Sequence, residues 1–233
     1  MILSIPKKFT KVGINCSGGA DSSLLLFLMG FLFQKRPDLQ IYVITNRNEA
    51  RDHTQPERVK EIIDFCSVYH GKKYVREHWV LPVTDYSERG RHIQQLFSDG
   101  KVDLVLSGVT SNPIVDEKIY MTDNDGHEIE LTDFPLPERL ANEDTQNWFA
   151  SVDGQGVHFD ENGQSPNMFY SPFNKMDKRD IIAIYRRAKI FDSLLPMTRS
   201  CEGEAEDTNN FTTECGHCWW CLERQWAINE TEH

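Results

Sequence analysis

The stretch from Val12 to Gly30 constrains this chain more than any other, because one kind of secondary structure must give way to another within a few residues. An apolar run of strand type, Val12 to Cys16, breaks on Ser17-Gly18-Gly19 and passes directly into a helix-like run that begins at Ala20. A loop so placed lies at a strand's end and a helix's start. The first amides of a helix have no partner within it and its dipole is positive there, so an oxyanion meets donors and field together. Gly18 and Gly19 let backbone come close, Asp21 sits in the first turn, and Ser17, Ser22 and Ser23 add hydroxyls. The natural ligand of such a loop is a phosphate. The plainer alternative is a serine-glycine turn that only caps a helix. No lysine follows the glycines, so this is not the G-x-x-x-x-G-K-S/T loop of intact triphosphates, and the G-x-G-x-x-G spacing of dinucleotide folds is missing too.

Beyond the loop, strand and helix patterns alternate. Ala20 to Lys35 reads as a helix apolar on nearly every side, which must be covered on most faces. Strands are predicted over Gln40 to Thr45, Tyr74 to Leu81 and Val102 to Leu106, and helices over Pro56 to Tyr69 and Ser87 to Phe97. The pattern predicts an α/β fold, a parallel sheet with helices on both faces, which binds ligands beyond the carboxyl ends of its strands. Ser17, Asn46 and Gly108 all stand at predicted strand ends and should share one crevice. Cys16 and Cys66 lie in apolar surroundings and read as core.

Residues 110–170 interrupt the alternation with two expected hairpins, turning at Asp125-Gly126 and at Asn162-Gly163, with loop around Pro135 to Pro137 and Asn142 to Asn147. The acidic first turn lacks the ligand frame of a calcium loop. Such an insertion would overhang the sheet's active end as a substrate lid or a dimer contact. Met176 to Lys189 then reads as a helix whose apolar side is Ile181, Ile182, Ile184 and Tyr185. Its basic residues Lys178, Arg179, Arg186, Arg187 and Lys189 read as a solvated face, with Lys178 the exception. The expected organisation is residues 1–109 with 171–200 as the nucleotide domain, 110–170 as an insertion, and 201–233 as a C-terminal metal-binding segment.

That segment holds four of the six cysteines. Cys215, Cys218 and Cys221 are spaced by two residues, and Cys201 is a plausible fourth ligand. Clustered thiols fit a metal site in a reducing compartment better than a disulfide framework. Four thiolates fill the shell of a structural zinc ion, and an iron-sulfur cluster is the alternative. His217 is expected to point away, and Trp219, Trp220 and Trp226 to cover the site. With 25 basic and 36 acidic residues the net charge is -11, which disfavours nonspecific attraction to nucleic acid or anionic membrane. The longest apolar run, Leu24 to Phe33, is about half of what a spanning helix needs. A cytoplasmic protein is the expectation.

Ser17-Gly18-Gly19-Ala20-Asp21-Ser22-Ser23 behind a strand resembles the PP-loop of the N-type ATP pyrophosphatases, enzymes that adenylate a substrate and release pyrophosphate. Thr198-Arg199-Ser200-Cys201-Glu202-Gly203, followed by Cys215-Gly216-His217-Cys218 and Cys221-Leu222-Glu223-Arg224, is similar to the Thr-x-Ser/Thr-Cys-x-x-Gly and zinc-holding segments of the 7-cyano-7-deazaguanine synthase family. Pro172 to Ile181 resembles that family's Pro-Leu-x-x-Leu-x-Lys-x-Glu-Ile segment, which places Lys178 on its lysine. Two segments depart from it, Asn46 to His53 and Gly108 to Asp116. The resemblance implies an adenine nucleotide alpha hydrolase-like, Rossmann-like fold with ATP and Mg²⁺ as cofactors. ATP would lie on Ser17, Gly18, Gly19, Ala20, Asp21, Ser22, Ser23, Asn46 and Gly108, with Lys178, Asp21 and Ser22 catalytic and structural Zn²⁺ on Cys201, Cys215, Cys218 and Cys221. It implies conversion of 7-carboxy-7-deazaguanine and ammonia to 7-cyano-7-deazaguanine. Asp21 either braces the loop or handles Mg²⁺, and Arg224 is a phosphate contact or a helix-surface arginine. A small carboxylate, ammonia and a second copy of the chain in a homodimer are the expected partners; tRNA and membrane are not. Three readings compete: a relative of this family acting on another carboxylate, a PP-loop tRNA thiolase using a reactive cysteine, and a zinc-stabilised nucleotide-binding module without catalysis.

Overall fold

A computed structural model describes residues 3, 5–48, 52–84, 86–132, 169–173 and 175–232. Its centre is β1 (Lys11–Asn15), flanked by β2 (Gln40–Arg47) and then β3 (Val75–Pro82) on one side, and by β4 (Leu104–Ser107) on the other. All of these pairings are parallel. Alternate residues of the inner strands are buried against different helices, as a doubly covered parallel sheet requires. Val12, Ile14, Ile41, Val43, Leu104 and Leu106 join the larger core, while Tyr42, Ile44 and Val105 join a smaller one with Ile93. The smaller core lies under α3 (Tyr86–Ser98). The larger takes α1 (Ala20–Lys35), α2 (Gln55–Tyr69), α4 (Lys178–Arg187) and α5 (Trp219–Glu230). Helices therefore cover both faces, as the alternation of elements predicts.

Each helix follows from its sequence. In α1, Leu24 to Phe27 and Met29 are all fully buried, which is why no polar face could be read there. α2 opens with Pro56 in its first turn, where a missing N–H costs nothing, and buries Val59, Ile62, Ile63 and Cys66. α4 starts at a capping box: Asp177 accepts from the N–H groups of Arg179 and Asp180, and the Asp180 carboxylate accepts from the Asp177 N–H. The cap places the helix start two residues after the predicted Met176.

Phe169–Tyr170 is β7, a fifth parallel strand on the edge of β4 that the sequence pattern does not announce. Pairing satisfies edge amides that would otherwise stay open, and two residues are too few to carry a periodicity. Two expectations need correction. The basic face of α4 is not simply solvated. Arg179 lies 5.0 Å over the Trp226 ring and donates to the Ile114 carbonyl, and Arg186 lies 3.9 Å over Phe191. Trp219 and Trp226 belong to the main core rather than covering the cysteines, because α5 packs its apolar side on α4.

The first hairpin is present: β5 (Tyr120–Thr122) pairs antiparallel with β6 (Glu128–Glu130), and the Asp123 carboxylate accepts from the N–H groups of Asp125 and His127. Its tip touches the C-terminal segment, where Asn124 donates to the Cys215 carbonyl. The Asn162-Gly163 turn, Pro135 to Pro137 and the 142–147 stretch lie outside the described residues. Among the described residues, no helix is long and apolar enough to cross a membrane.

Candidate functional site

β1 ends at Asn15, and four residues, Cys16 to Gly19, carry the chain to the start of α1. Gly18 has φ 76°, a conformation that favours glycine, and a methyl group there would also press on the Arg58 side chain. Gly19 is the N-cap but has no side chain to cap with, so the first helical amides are served from elsewhere. The Ser17 hydroxyl takes the Gly19 N–H at 3.4 Å, and the Ser200 hydroxyl, distant in sequence, takes the Ala20 N–H at 3.2 Å. Gly108, at the end of β4, lies so close to α1 that a methyl on it would stand 2.6 Å from the Ser22 amide nitrogen.

These ends enclose a cleft of about 560 Å³, within the size range of a nucleotide pocket. Ser17, Gly19, Asp21, Ser22, Asn46, Gly108 and Lys178 all line it, so the three predicted strand ends do meet. Gly18, Ala20 and Ser23 shape the loop without lining the cleft. Asn46 keeps its side-chain oxygen buried with no partner among the described residues.

Two groups of charge flank the loop. On one side Lys178, 1% exposed, donates to the Asp21 carboxylate at 2.7 and 2.5 Å and lies 3.5 Å from the fully buried Glu223 of α5. Lys178 thus braces the first turn of α1 through Asp21. On the other side Asp52 receives Arg58 at 2.8 Å and Arg199 at 2.9 Å. Burial by itself would raise the Asp52 carboxyl; the Thr54 hydrogen bond and the two guanidiniums outweigh it and hold Asp52 below its ordinary range.

The four cysteine sulfurs lie within 4.8 Å of one another, with Cys215 to Cys221 at 3.9 Å and Cys218 to Cys201 at 4.0 Å. Backbone N–H groups of Gly203 and Cys215 point at the Cys201 sulfur, each at 3.3 Å. Hydrogen bonds from the Cys218 and Cys221 thiols, aided by those amides, lower the Cys201 pKa, while the shared bond with Cys201 pushes Cys218 up to about 11. Four soft sulfur donors gathered this closely suit a metal ion. His217 pairs at 3.7 Å with Asp207 and is not among the clustered ligands.

The segment Arg199 to Cys201 joins this cluster to the loop. The Arg199 N–H donates to the Gly18 carbonyl at 2.9 Å, Ser200 caps α1, and Cys201 both lines the cleft and belongs to the thiol cluster. The sequence assigns a site role in this run to the cysteine alone; Ser200 is legible as a motif position and Arg199 as a polar residue beside it, but neither has a partner to point to. Arg224 is neither phosphate contact nor surface residue. Buried, it clamps the Thr198 and Leu195 carbonyls at 3.0 Å each and Glu214 at 2.8 Å. Cys16 and Cys66 are fully buried, and desolvation raises the Cys16 thiol and pushes Cys66 up to about 12.

No protein-family model matches the chain, and no curated protein does either. Among solved structures it is similar to the U34-tRNA thiolase NcsA from Methanococcus maripaludis with its 4Fe-4S cluster (TM-score 0.47, 12% identity), over 81% of this chain and 58% of that one. It is also similar to NMN synthetase from Francisella tularensis (TM-score 0.41, 10% identity), over 98% of this chain and 87% of that one. A third likeness is to a tRNA methyltransferase subunit from Methanocaldococcus jannaschii (TM-score 0.32, 11% identity), over 76% and 74% of the two chains. The chain thus spans less than two thirds of the thiolase. None of the three reaches a TM-score of 0.5, so the reading of the site rests on its own geometry.

Proposed function

We propose that the cleft binds ATP and that the chain is an ATP pyrophosphatase-type ligase, adenylating a carboxylate and releasing pyrophosphate. One observation carries this reading: a lysine-free serine-glycine loop, the first turn of α1, and the ends of β1, β2 and β4 converge on one nucleotide-sized space. Following the resemblance of the sequence, the carboxylate is that of 7-carboxy-7-deazaguanine. Its oxygen attacks the α-phosphorus, pyrophosphate leaves, and ammonia displaces AMP to give the amide. A second adenylation, on the amide oxygen, lets AMP depart with that oxygen and leaves the nitrile. Negative charge builds on the departing pyrophosphate, and preorganised amides at the start of α1 lower its energy. Mg²⁺ bound with ATP would supply further charge neutralisation, with Asp21 and the cleft carboxylates Glu202 and Glu204 as its neighbours.

Zinc is the metal we assign to the cysteines. A Zn–S bond of about 2.3 Å in a tetrahedron sets sulfurs about 3.8 Å apart; here two pairs are 3.9 and 4.0 Å apart and all lie within 4.8 Å of one another. A four-iron cluster puts each thiolate on a different iron and spreads the sulfurs further. Homodimer formation and a lid role for residues 110–170 belong to the same proposal.

A second reading, transfer of sulfur to an adenylated tRNA base, has one observation in its favour: Cys201 lines the cleft. The burial of Cys16 and Cys66 weighs against either as the sulfur carrier. Pyrophosphate release from ATP with 7-carboxy-7-deazaguanine and ammonium tests the first reading. Turnover supports it; no turnover despite ATP binding and full metal occupancy removes it. Sulfur transfer from the chain to tRNA, with ATP cleaved to AMP and pyrophosphate, would establish the second.

A further inference from the structure

We propose that Arg199, and not Lys178, is the cation that holds the diphosphate, so that the cleft carries a diphosphate subsite on the Asp52 side of the loop. The inference deepens the ATP reading and rests on it.

The argument begins with what each cation already holds. Lys178 is a single ammonium between two carboxylates, Asp21 and Glu223, and an anion approaching its Nζ must displace one of them. Across the loop the ratio is reversed: two guanidiniums, Arg58 and Arg199, share the one carboxylate of Asp52. Arg199 lines the cleft and is 8% exposed; its Nη1 donates to Asp52 and its Nε to the Thr213 carbonyl at 3.3 Å. Its Nη2 is buried with no partner among the described residues, as is Nη1 of Arg58.

A buried cationic donor without an acceptor is costly, and a phosphate oxygen is the acceptor that guanidinium geometry fits best. The Arg199 backbone donates to the Gly18 carbonyl, which ties this residue to the loop, while Asp52 and the Thr213 carbonyl hold its guanidinium. Glu202 and Glu204 line the same cleft and would repel a bare diphosphate, so the anion enters with a divalent cation. Arg199 also stands at the open position of the Thr-x-Ser/Thr-Cys pattern, where the sequence resemblance assigns no role.

Isothermal titration of the full chain with magnesium pyrophosphate, ATP and AMP decides the matter, with thermal midpoints taken in parallel. Arg199→Gln should weaken pyrophosphate binding at least tenfold while AMP affinity moves less than twofold, and Arg199→Lys should recover part of the loss. Asp52→Asn should instead tighten pyrophosphate binding severalfold, a change that structural damage does not produce and that decides the case if Arg199→Gln does not fold. Wild-type pyrophosphate affinity in Arg199→Gln overturns the proposal. So does an equal loss of AMP and pyrophosphate together with a fallen midpoint, or weaker pyrophosphate binding in a folded Asp52→Asn. A wild-type chain that binds neither ATP nor pyrophosphate sinks the adenylation reading itself, whereas one that binds both with Arg199 indifferent sinks only the subsite.

Discussion

The two charge clusters beside the loop are built from the same kinds of residue and are opposite in balance. Lys178 is outnumbered by Asp21 and Glu223 and is 1% exposed; Asp52 is outnumbered by Arg58 and Arg199, and Arg199 faces the cleft. The first ties α1 to α4 and α5 and has no donor to spare for a ligand that does not break it. The second keeps donors in reserve. The difference teaches that a cation's place in a sequence pattern does not reveal its availability, which depends on how many carboxylates fold around it.

The largest effect expected on this pair comes from the metal. Cys218 is the N-cap of α5, which carries Glu223 to Lys178, while Cys201 lies two residues from Arg199, so both clusters hang from the cysteine site. Structural zinc in small peptides corresponds to about 10–16 kcal/mol of apparent binding free energy. Chelation should therefore loosen α5, collapse the near-ultraviolet circular dichroism of Trp219, Trp220 and Trp226, and abolish ATP binding. An unchanged spectrum after complete metal removal would show that neither cluster depends on the site.

Next is the contrast between single substitutions. Lys178→Gln leaves two carboxylates facing each other without their cation, and breaking a buried ion pair in this way costs about 3–5 kcal/mol. Arg199→Gln leaves Asp52 with Arg58 and the Thr54 hydrogen bonds, so a loss of about 1–2 kcal/mol is expected. Urea unfolding of both variants measures the difference, and equal losses would break the comparison. Gly108→Ala acts on the loop between the clusters. Its methyl would stand 2.6 Å from the Ser22 nitrogen and 2.8 Å from the Asp21 carbonyl carbon, both backbone atoms that cannot swing aside. A cost of about 1–3 kcal/mol is expected, together with weaker ATP binding, and wild-type stability would show that β4 does not pin the helix start.

What could be read from the chain divides along the same line. The order of strands and helices was legible because Gln40 to Thr45 is rich in β-branched residues, and because Val59, Ile62, Ile63 and Cys66 keep a helical interval. Convergence of Ser17, Asn46 and Gly108 was legible because parallel strands present their carboxyl ends on one side. Pairings between remote residues were not: nothing local joins Lys178 to Glu223, Arg199 to Asp52 or Ser200 to Ala20. Arg224 was misread for the same reason, since the carbonyls it clamps belong to a turn, Leu195–Met197, and to the strand-like Thr198 that follows. β7 escaped because two residues against an open edge leave no pattern of their own.

Acid is the gentlest probe, and it separates the Asp52 cluster from two half-buried histidines. His70 and His78 have pKa values lowered by burial, so the unfolded chain binds protons there before the folded one does. Their neutral forms favour folding above the unfolded value of about 6.5, and this stability declines as pH falls through that value toward the folded ones. Asp52 follows at lower pH. Its folded pKa lies below its unfolded value of about 3.9, so its contribution is present above the unfolded value and is lost as pH falls through the folded one. Thermal midpoints should therefore decline in two stages, and Asp52→Asn should shrink the lower stage, to which the lowered carboxyls of Asp38, Asp123 and Glu130 also contribute, while leaving the upper one in place. If the variant leaves the lower stage unchanged, or shrinks the upper one as well, the carboxylate is not what holds the two arginines beside the loop.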